Sequence, residues 1–220
     1  MKRIFALALL ANTLQSASAQ FQGVLVYEAV FVNKVVTTFS ENATMGRIDA
    51  RTFKMKGGVV DSSTGHNQNT LLYDFIANKQ TQLLQKQMVA SIGGYTDAFM
   101  QRQMHFDVNT VTVAFVGPEK IGKYNCKHFT LTMDKFKRDL WITQDLGIPK
   151  LYILPGFLYY TPGNAILPKI IAAGGSGVIV KAVAGPVTST LIGVQSGGPP
   201  ASIFKVPPGY TIREMPAMMQ

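Results

Sequence analysis

Short runs of alternating or β-branched residues, each closed by glycine or proline, recur along most of this chain. That recurrence limits its fold more than any other feature. Gly23 to Phe31 is rich in Val, Tyr and Phe and reads as a strand. Thr44 to Met55 puts Arg47, Asp49 and Arg51 on one parity and Ile48 on the other, the pattern of a strand with one polar face. Gly57-Gly58 closes it, and Val59-Val60 begins another short strand before a polar loop over Asp61 to Asn69. Leu71 to Ala77 and Thr81 to Met88 are expected to form a hairpin across Asn78-Lys79. Gly93-Gly94 breaks the chain, and Tyr95 to Met104 is expected to form a short helix.

The second half continues the pattern. Thr110 to Val116 is a strand ended by Gly117-Pro118. Tyr124 to Met133 pairs with Phe136 to Thr143 across Asp134-Lys135. Gly177 to Ala184 and Val187 to Val194 flank Gly185-Pro186, and strands over Ser202 to Val206 and Tyr210 to Arg213 finish the chain. The fold class predicted is mainly β (α+β): one large, strongly curved antiparallel sheet with a few short helices and loops.

One segment breaks the pattern. Ile148 to Ala173 holds four prolines, and Lys150 and Lys169 are its only charges. Proline this frequent forbids a long helix or a central strand and gives short helical turns and apolar loops. Such a segment serves either as a plug packed on the sheet or as a lid over a ligand. Its first half offers Leu151, Tyr152, Leu154 and Phe157 as contacts for an apolar ligand. Its second half offers Leu158, Tyr159, Ile166 and Leu167.

The N-terminus has its own logic. Lys2 and Arg3 precede an apolar stretch from Ile4 to Leu14, and Ala17-Ser18-Ala19 is an A-x-A cleavage site. Residues 1–19 are therefore read as a secretory signal peptide, with 20–220 as one domain. The stretch is too short to span ~30 Å of hydrocarbon. No Cys follows it, so no lipobox is present. The product is expected in the periplasm or secreted.

Chemistry is scarce. A single Cys rules out an intramolecular disulfide framework and a multi-Cys zinc site. His66, His105 and His128 form no H-E-x-x-H string. Cys126 and His128 would share one strand face, but zinc needs three or four ligands. Gly174-Gly175-Ser176-Gly177 lacks the glycine two residues after Ser that a nucleophile elbow needs; Val178 stands there. No phosphate loop and no paired carboxylates stand out. These features predict neither an enzyme nor a cofactor or metal.

Lys and Arg number 21 against 12 Asp and Glu, a formal charge of +9 that falls to +7 once Lys2 and Arg3 are removed. The basic residues are scattered, densest at Lys135, Lys137 and Arg138, without the interleaved aromatics of an RNA-binding surface. The expected partners are an anionic membrane surface or an envelope protein, not nucleic acid. Asn42-Ala43-Thr44 is a glycosylation sequon.

Four strings resemble an exported bacterial family. Phe21-Gln22-Gly23-Val24 to Tyr27 is similar to its opening F-x-G-x-x-x-Y. Lys120 to His128 (KIGKYNCKH) resembles its I-x-G-Y-x-C-K-K strand. Leu140 to Gly147 (LWITQDLG) resembles its W-x-T-x-D-L-G segment, and Ser202 to Tyr210 (SIFKVPPGY) its S-x-F-x-V-P-x-G-Y close. The family is domain-of-unknown-function family 4412, whose members look related in architecture to periplasmic lipoprotein carriers of the LolA and LolB type. The resemblance implies an open half-barrel with helices inserted as a lid, and brings no catalytic residue. The leading expectation is a non-enzymatic carrier of a lipid or other apolar ligand. The alternative is a structural or accessory protein docking on a cell-envelope partner.

Overall fold

The computed structural model of the protein describes residues 20–94, 108–133, 136–151 and 166–214. The expected signal peptide and the expected helix over Tyr95 to Met104 lie outside these residues.

Strands form over most of the alternating runs, and also over Lys34–Glu41, where no strand is expected. They are β1 (Gly23–Val30), β2 (Lys34–Glu41), β3 (Met45–Phe53), β4 (Met55–Lys56), β5 (Val59–Val60), β6 (His66–Asp74), β7 (Lys79–Leu84) and β8 (Val89–Gly94). After them come β9 (Thr112–Ile121), β10 (Tyr124–Met133) and β11 (Phe136–Thr143). The helix α1 (Ile166–Ala172) precedes β12 (Val178–Ala184), β13 (Val187–Ser196) and β14 (Thr211–Glu214). Twelve strands make one open sheet in the order β14-β8-β7-β6-β3-β2-β1-β13-β12-β11-β10-β9. The remaining pair, β4 and β5, is a separate small hairpin turning on Gly57-Gly58. Both of these glycines have positive φ (59° and 79°), which a two-residue hairpin turn requires.

The sheet is mixed, not purely antiparallel as the hairpin pattern predicts. β14 runs parallel to β8, with Thr211 opposite Val89 and Glu214 opposite Ile92. The cause is the path of the chain after β13. Residues 201–204 form a 3-10 turn where a strand is expected, and Phe204 is buried by it. The Arg47 guanidinium donates to the Ile203 carbonyl at 2.8 Å, so the segment is tied across β3 before it reaches the far edge. A parallel neighbour requires a crossover connection of this kind.

Three other expectations change at glycine, proline or polar runs. Gly117-Pro118 does not end β9, which continues to Ile121. β9 is the edge strand, where a missing N–H is tolerated, and a bulge at Val116 relieves the register. Gly93 and Gly94 sit inside β8. β6 begins at His66 within the expected polar loop and stops at Asp74, whose carboxylate takes the Ile76 and Ala77 amides (2.9 and 2.8 Å) and turns the chain.

The sheet buries residues on both faces. The front face carries one continuous apolar cluster running from Leu71 and Tyr73 on β6 to Trp141 on β11 and Cys126 on β10. The back face is split. At one end Phe129, Leu131, Leu140 and Ile142 pack under Ile166, Leu167 and Ile170 of α1. At the other, Leu72, Leu83 and Ala90 pack under Val206 and Tyr210. A bulge in β12 between Ile179 and Lys181 keeps this division: Trp141 opposes Lys181 on the front while Ile142 opposes Ile179 on the back.

Candidate functional site

The front face is the part of the fold organised around more than its own packing. β2 ends in Phe39-Ser40-Glu41, all three buried, and Phe39 and Glu41 share the front parity. Glu41 lies opposite Gly23 on one neighbour and Gly46 on the other. Gly46 leaves space beside the carboxylate. A Cβ on Gly46 would stand 2.6 Å from the Leu151 Cδ1 atom, so Leu151 fills the room that Gly46 vacates.

The chain leaving β11 crosses the front face to reach this notch. The Phe21 amide donates to the Ile148 carbonyl at 2.9 Å. The Glu41 carboxylate then accepts the Lys150 amide (3.0 and 3.1 Å) and the Leu151 amide (2.9 Å). The Lys150 ammonium donates to the Ala43 carbonyl at 2.6 Å and sits 5.0 Å from the Phe75 ring centroid. The sequon asparagine belongs to the same end: Asn42 Oδ1 accepts the Thr44 and Met45 amides (2.9 and 2.8 Å) and shapes the β2–β3 turn.

Glu41 is 1% exposed. Burial raises its pKa to about 7, against the lowering effect of the Leu151 and Lys150 amides and the Lys150 charge. A carboxyl so placed gains or loses its proton near neutral pH. Its oxygens are taken up by backbone amides, which makes it an anchor for the incoming segment.

A second group lies on the same face over β9 to β12. The His128 Nε2 atom is 3.0 Å from Asp139 Oδ1, which also accepts the Thr130 hydroxyl at 2.7 Å. Trp141 Nε1 donates to Glu119 at 2.6 Å, and the same carboxylate is 3.7 Å from His128 Nδ1. The His128 and Trp141 rings stack at 4.3 Å and 12°, and Lys181 Nζ lies 4.6 Å from the Trp141 ring centroid. Desolvation pushes the Asp139 pKa up. Hydrogen bonds from Thr130 and His128, with the Lys137 charge, outweigh it and hold the carboxyl below its usual value. Among the described residues no hydroxyl or thiol nucleophile bonds to His128. The Cys126 thiol, two residues away on the same face, is pushed up by burial and donates to the Tyr124 carbonyl at 3.7 Å. That is an inert thiol. Ser176, in the false nucleophile elbow, accepts from Gln144 at 2.8 Å. No group of three or more metal-ligating side chains forms among the described residues.

The residues expected to touch an apolar ligand divide between the faces. Leu151 belongs to the front cluster. Ile166 and Leu167 come together in the back cluster under α1. Tyr152, Leu154, Phe157, Leu158 and Tyr159 lie outside the described residues. The basic trio is also split, with Lys137 exposed and Arg138 buried. Glu41 and the Glu119–His128–Asp139–Trp141 group escape sequence reasoning. The signal for Glu41 is one acid at the same parity as Phe39 in KVVTTFSE, a run whose strand character is itself easy to overlook.

The pattern of one family, described as Domain of unknown function (DUF4412), matches residues 51–210. The chain belongs to that family. No curated protein matches this DUF4412 chain significantly. Among solved structures, PNGF-II in its C2 crystal form is 17% identical, with a TM-score of 0.46. That alignment covers 89% of the DUF4412 chain and 31% of PNGF-II, so the chain spans about a third of that protein. An uncharacterised conserved protein from Thermus thermophilus is 9% identical over 87% of this chain and 89% of its own, with a TM-score of 0.48. A putative outer membrane lipoprotein-sorting protein domain from Vibrio parahaemolyticus is 8% identical over 83% of this chain and 88% of its own, with a TM-score of 0.23. No described helix of the DUF4412 chain is long and apolar enough to cross a membrane.

Proposed function

We propose that this protein is an exported, periplasmic or secreted, non-enzymatic binding protein for a lipid or other apolar chain. In this reading the sheet curls into a half-barrel with the front face concave, and the ligand lies on that face. The observation that carries it is the attachment of the proline-rich segment. Leu151 enters the front cluster through a notch made by Gly46 and is held there by a single buried carboxylate. A segment that only filled a core would need no ionisable anchor, since a buried carboxyl costs desolvation that an apolar contact does not. Each CH₂ of a bound chain contributes about 0.8 kcal/mol, so even a short stretch of acyl chain gives useful affinity.

The test is native mass spectrometry of the protein purified from the exported fraction, followed by solvent extraction. Bound lipid in the wild type, reduced in Leu151→Ala, supports the reading. Equal retention in a Leu151→Ala protein that has merely lost stability would make Leu151 plain core.

An accessory role on an envelope partner is the second reading. It is favoured by the free edge of β9, where Phe115 and Val116 are exposed. Cross-linking from position 116 to a discrete partner, lost on Phe115→Ser, is the result it predicts.

A further inference from the structure

The turn between β1 and β2 breaks the usual rule for turns. Hairpin tips favour Gly, Asn, Asp, Ser and Pro. Here Val30 closes against Lys34, and the tip is Phe31-Val32-Asn33. Phe31 is 62% exposed and Val32 68%. Three consecutive apolar residues facing water weaken solubility and add nothing to a core, so a function must compensate.

The small β4–β5 hairpin repeats the feature. Phe53, the last residue of β3, is paired with Lys34, the first of β2. The hairpin that follows it therefore projects from the same end of the sheet as the β1–β2 tip. Val59 on this hairpin is 70% exposed.

The flanks of both tips are basic. Lys34, Arg51, Lys54 and Lys56 surround them. Farther along the same end lie Lys86, after β7, and Lys137, at the start of β11. Against these six stand Glu28, Asp61 and Asp139 among the described residues, the last bonded to the Thr130 hydroxyl and His128. Glu28 is ion-paired to Lys34, and Asp61 caps the Ser63 amide at 3.0 Å. The opposite end is balanced: Lys79, Lys120, Lys123 and Lys150 face Glu41, Asp74, Glu119 and Asp145. One large apolar side chain, Ile76, is exposed at its described turns.

We propose that the end of the sheet bearing Phe31, Val32 and Val59 docks on an anionic lipid bilayer. The apolar tips enter the acyl boundary while the surrounding lysines and Arg51 meet the headgroups. Two narrow projections with an excess of positive charge match an interface of that kind. They do not offer the flat area of about 800 Å² per partner that a stable protein interface needs. The docking end stands independently of whether the front face holds a ligand.

The test is co-sedimentation of the purified full chain with sucrose-loaded vesicles. One set is phosphatidylcholine alone, and the other is phosphatidylcholine with phosphatidylglycerol. The protein should pellet with the anionic vesicles and not with the neutral ones. Raising the salt several-fold should release most of it, since screening shortens the electrostatic reach to a few Å. Phe31→Ser with Val32→Ser should weaken binding by about tenfold, as the buried apolar area sets the strength of insertion. Lys54→Glu with Lys56→Glu should do the same, and Ile76→Ser at the opposite end should change nothing. All four positions in the two double variants are on exposed turns or their margins, so an unchanged melting temperature confirms that the fold is intact. Solvent extraction of the Phe31→Ser, Val32→Ser protein separates this surface from the carrier reading: vesicle binding falls while any co-purified lipid stays. Failure to pellet with anionic vesicles, or pelleting that the tip and lysine variants do not alter, overturns the proposal. So does loss of an envelope protein's capture by the tip variants without any vesicle binding, which would make this end a protein interface.

Discussion

Glu41 is a residue whose protonation the fold controls. Its folded-state pKa of about 7 stands above the ordinary value of 4.5, so the native state holds a proton that the unfolded chain releases between these values. The stabilisation is fully present below about pH 4.5 and is lost as pH rises through about 7, amounting to about 3 kcal/mol. Asp139 acts in the opposite sense at lower pH: its depressed pKa gives stability that disappears as pH falls below its ordinary range. Urea midpoints should therefore fall between about pH 5 and about pH 8 in the wild type and stay level across that window in Glu41→Gln. A wild-type midpoint that rises over the same window would contradict the burial argument.

Trp141 is the second diagnostic residue, because the chain has a single tryptophan and it is buried beside the stacked His128. Native fluorescence should be blue-shifted and should report the front face alone. Trp141→Phe removes the donor to Glu119 and leaves His128 a smaller ring to stack on. It should cost about 1–3 kcal/mol in chemical denaturation.

At the scale of elements, the two sides of the sheet should behave as separate cores. Ile166 under α1 and Leu151 at the Glu41 notch belong to different clusters on opposite faces. Each substitution by Ala should cost about 2–5 kcal/mol, and the double variant should equal their sum within about 0.5 kcal/mol. A coupling well above that would mean the faces share a packing unit.

The same scale explains what the sequence discloses. The β10–β11 and β12–β13 hairpins are legible because both strands alternate and their turns are short. β2 is not: five of its first residues are half-buried, so KVVTTFSE shows no strong alternation. The start of β6 is polar, HNQNT, and it is held by ladder bonds to β3 that no local pattern reveals. Pro118 reads as a stop only if the strand is central, and β9 is an edge. The 3-10 turn over residues 201–204 depends on Arg47, a contact 156 residues away in sequence. Of the candidate site, the apolar nature of the Ile148 segment was legible, while the choice of face for each of its residues was not. For Leu151 that choice rests on a carboxylate from another strand.

At the scale of the whole molecule, the scattered positive charge resolves into an asymmetry. One end of the sheet carries both apolar tips and most of the unbalanced lysines, and the other carries the Glu41 notch. A protein that docks through the first end would present the second away from the bilayer. The open sheet has two edges, β14, which is four residues long and carries Arg213 and Glu214, and β9 with a bulge and Pro118. Both are features that discourage edge-to-edge association. Dilute solutions should accordingly remain free of strand-mediated aggregates, which light scattering at rising concentration would check.

The central claim is that the front face accommodates an apolar chain beside Leu151. The most direct measurement is native mass spectrometry of the purified protein under mild desolvation. A mass above that of the bare polypeptide, resolving on extraction into lipid or acyl species and diminished in Leu151→Ala, is the predicted result. A spectrum showing the bare polypeptide alone, with no lipid in the extract, would contradict it.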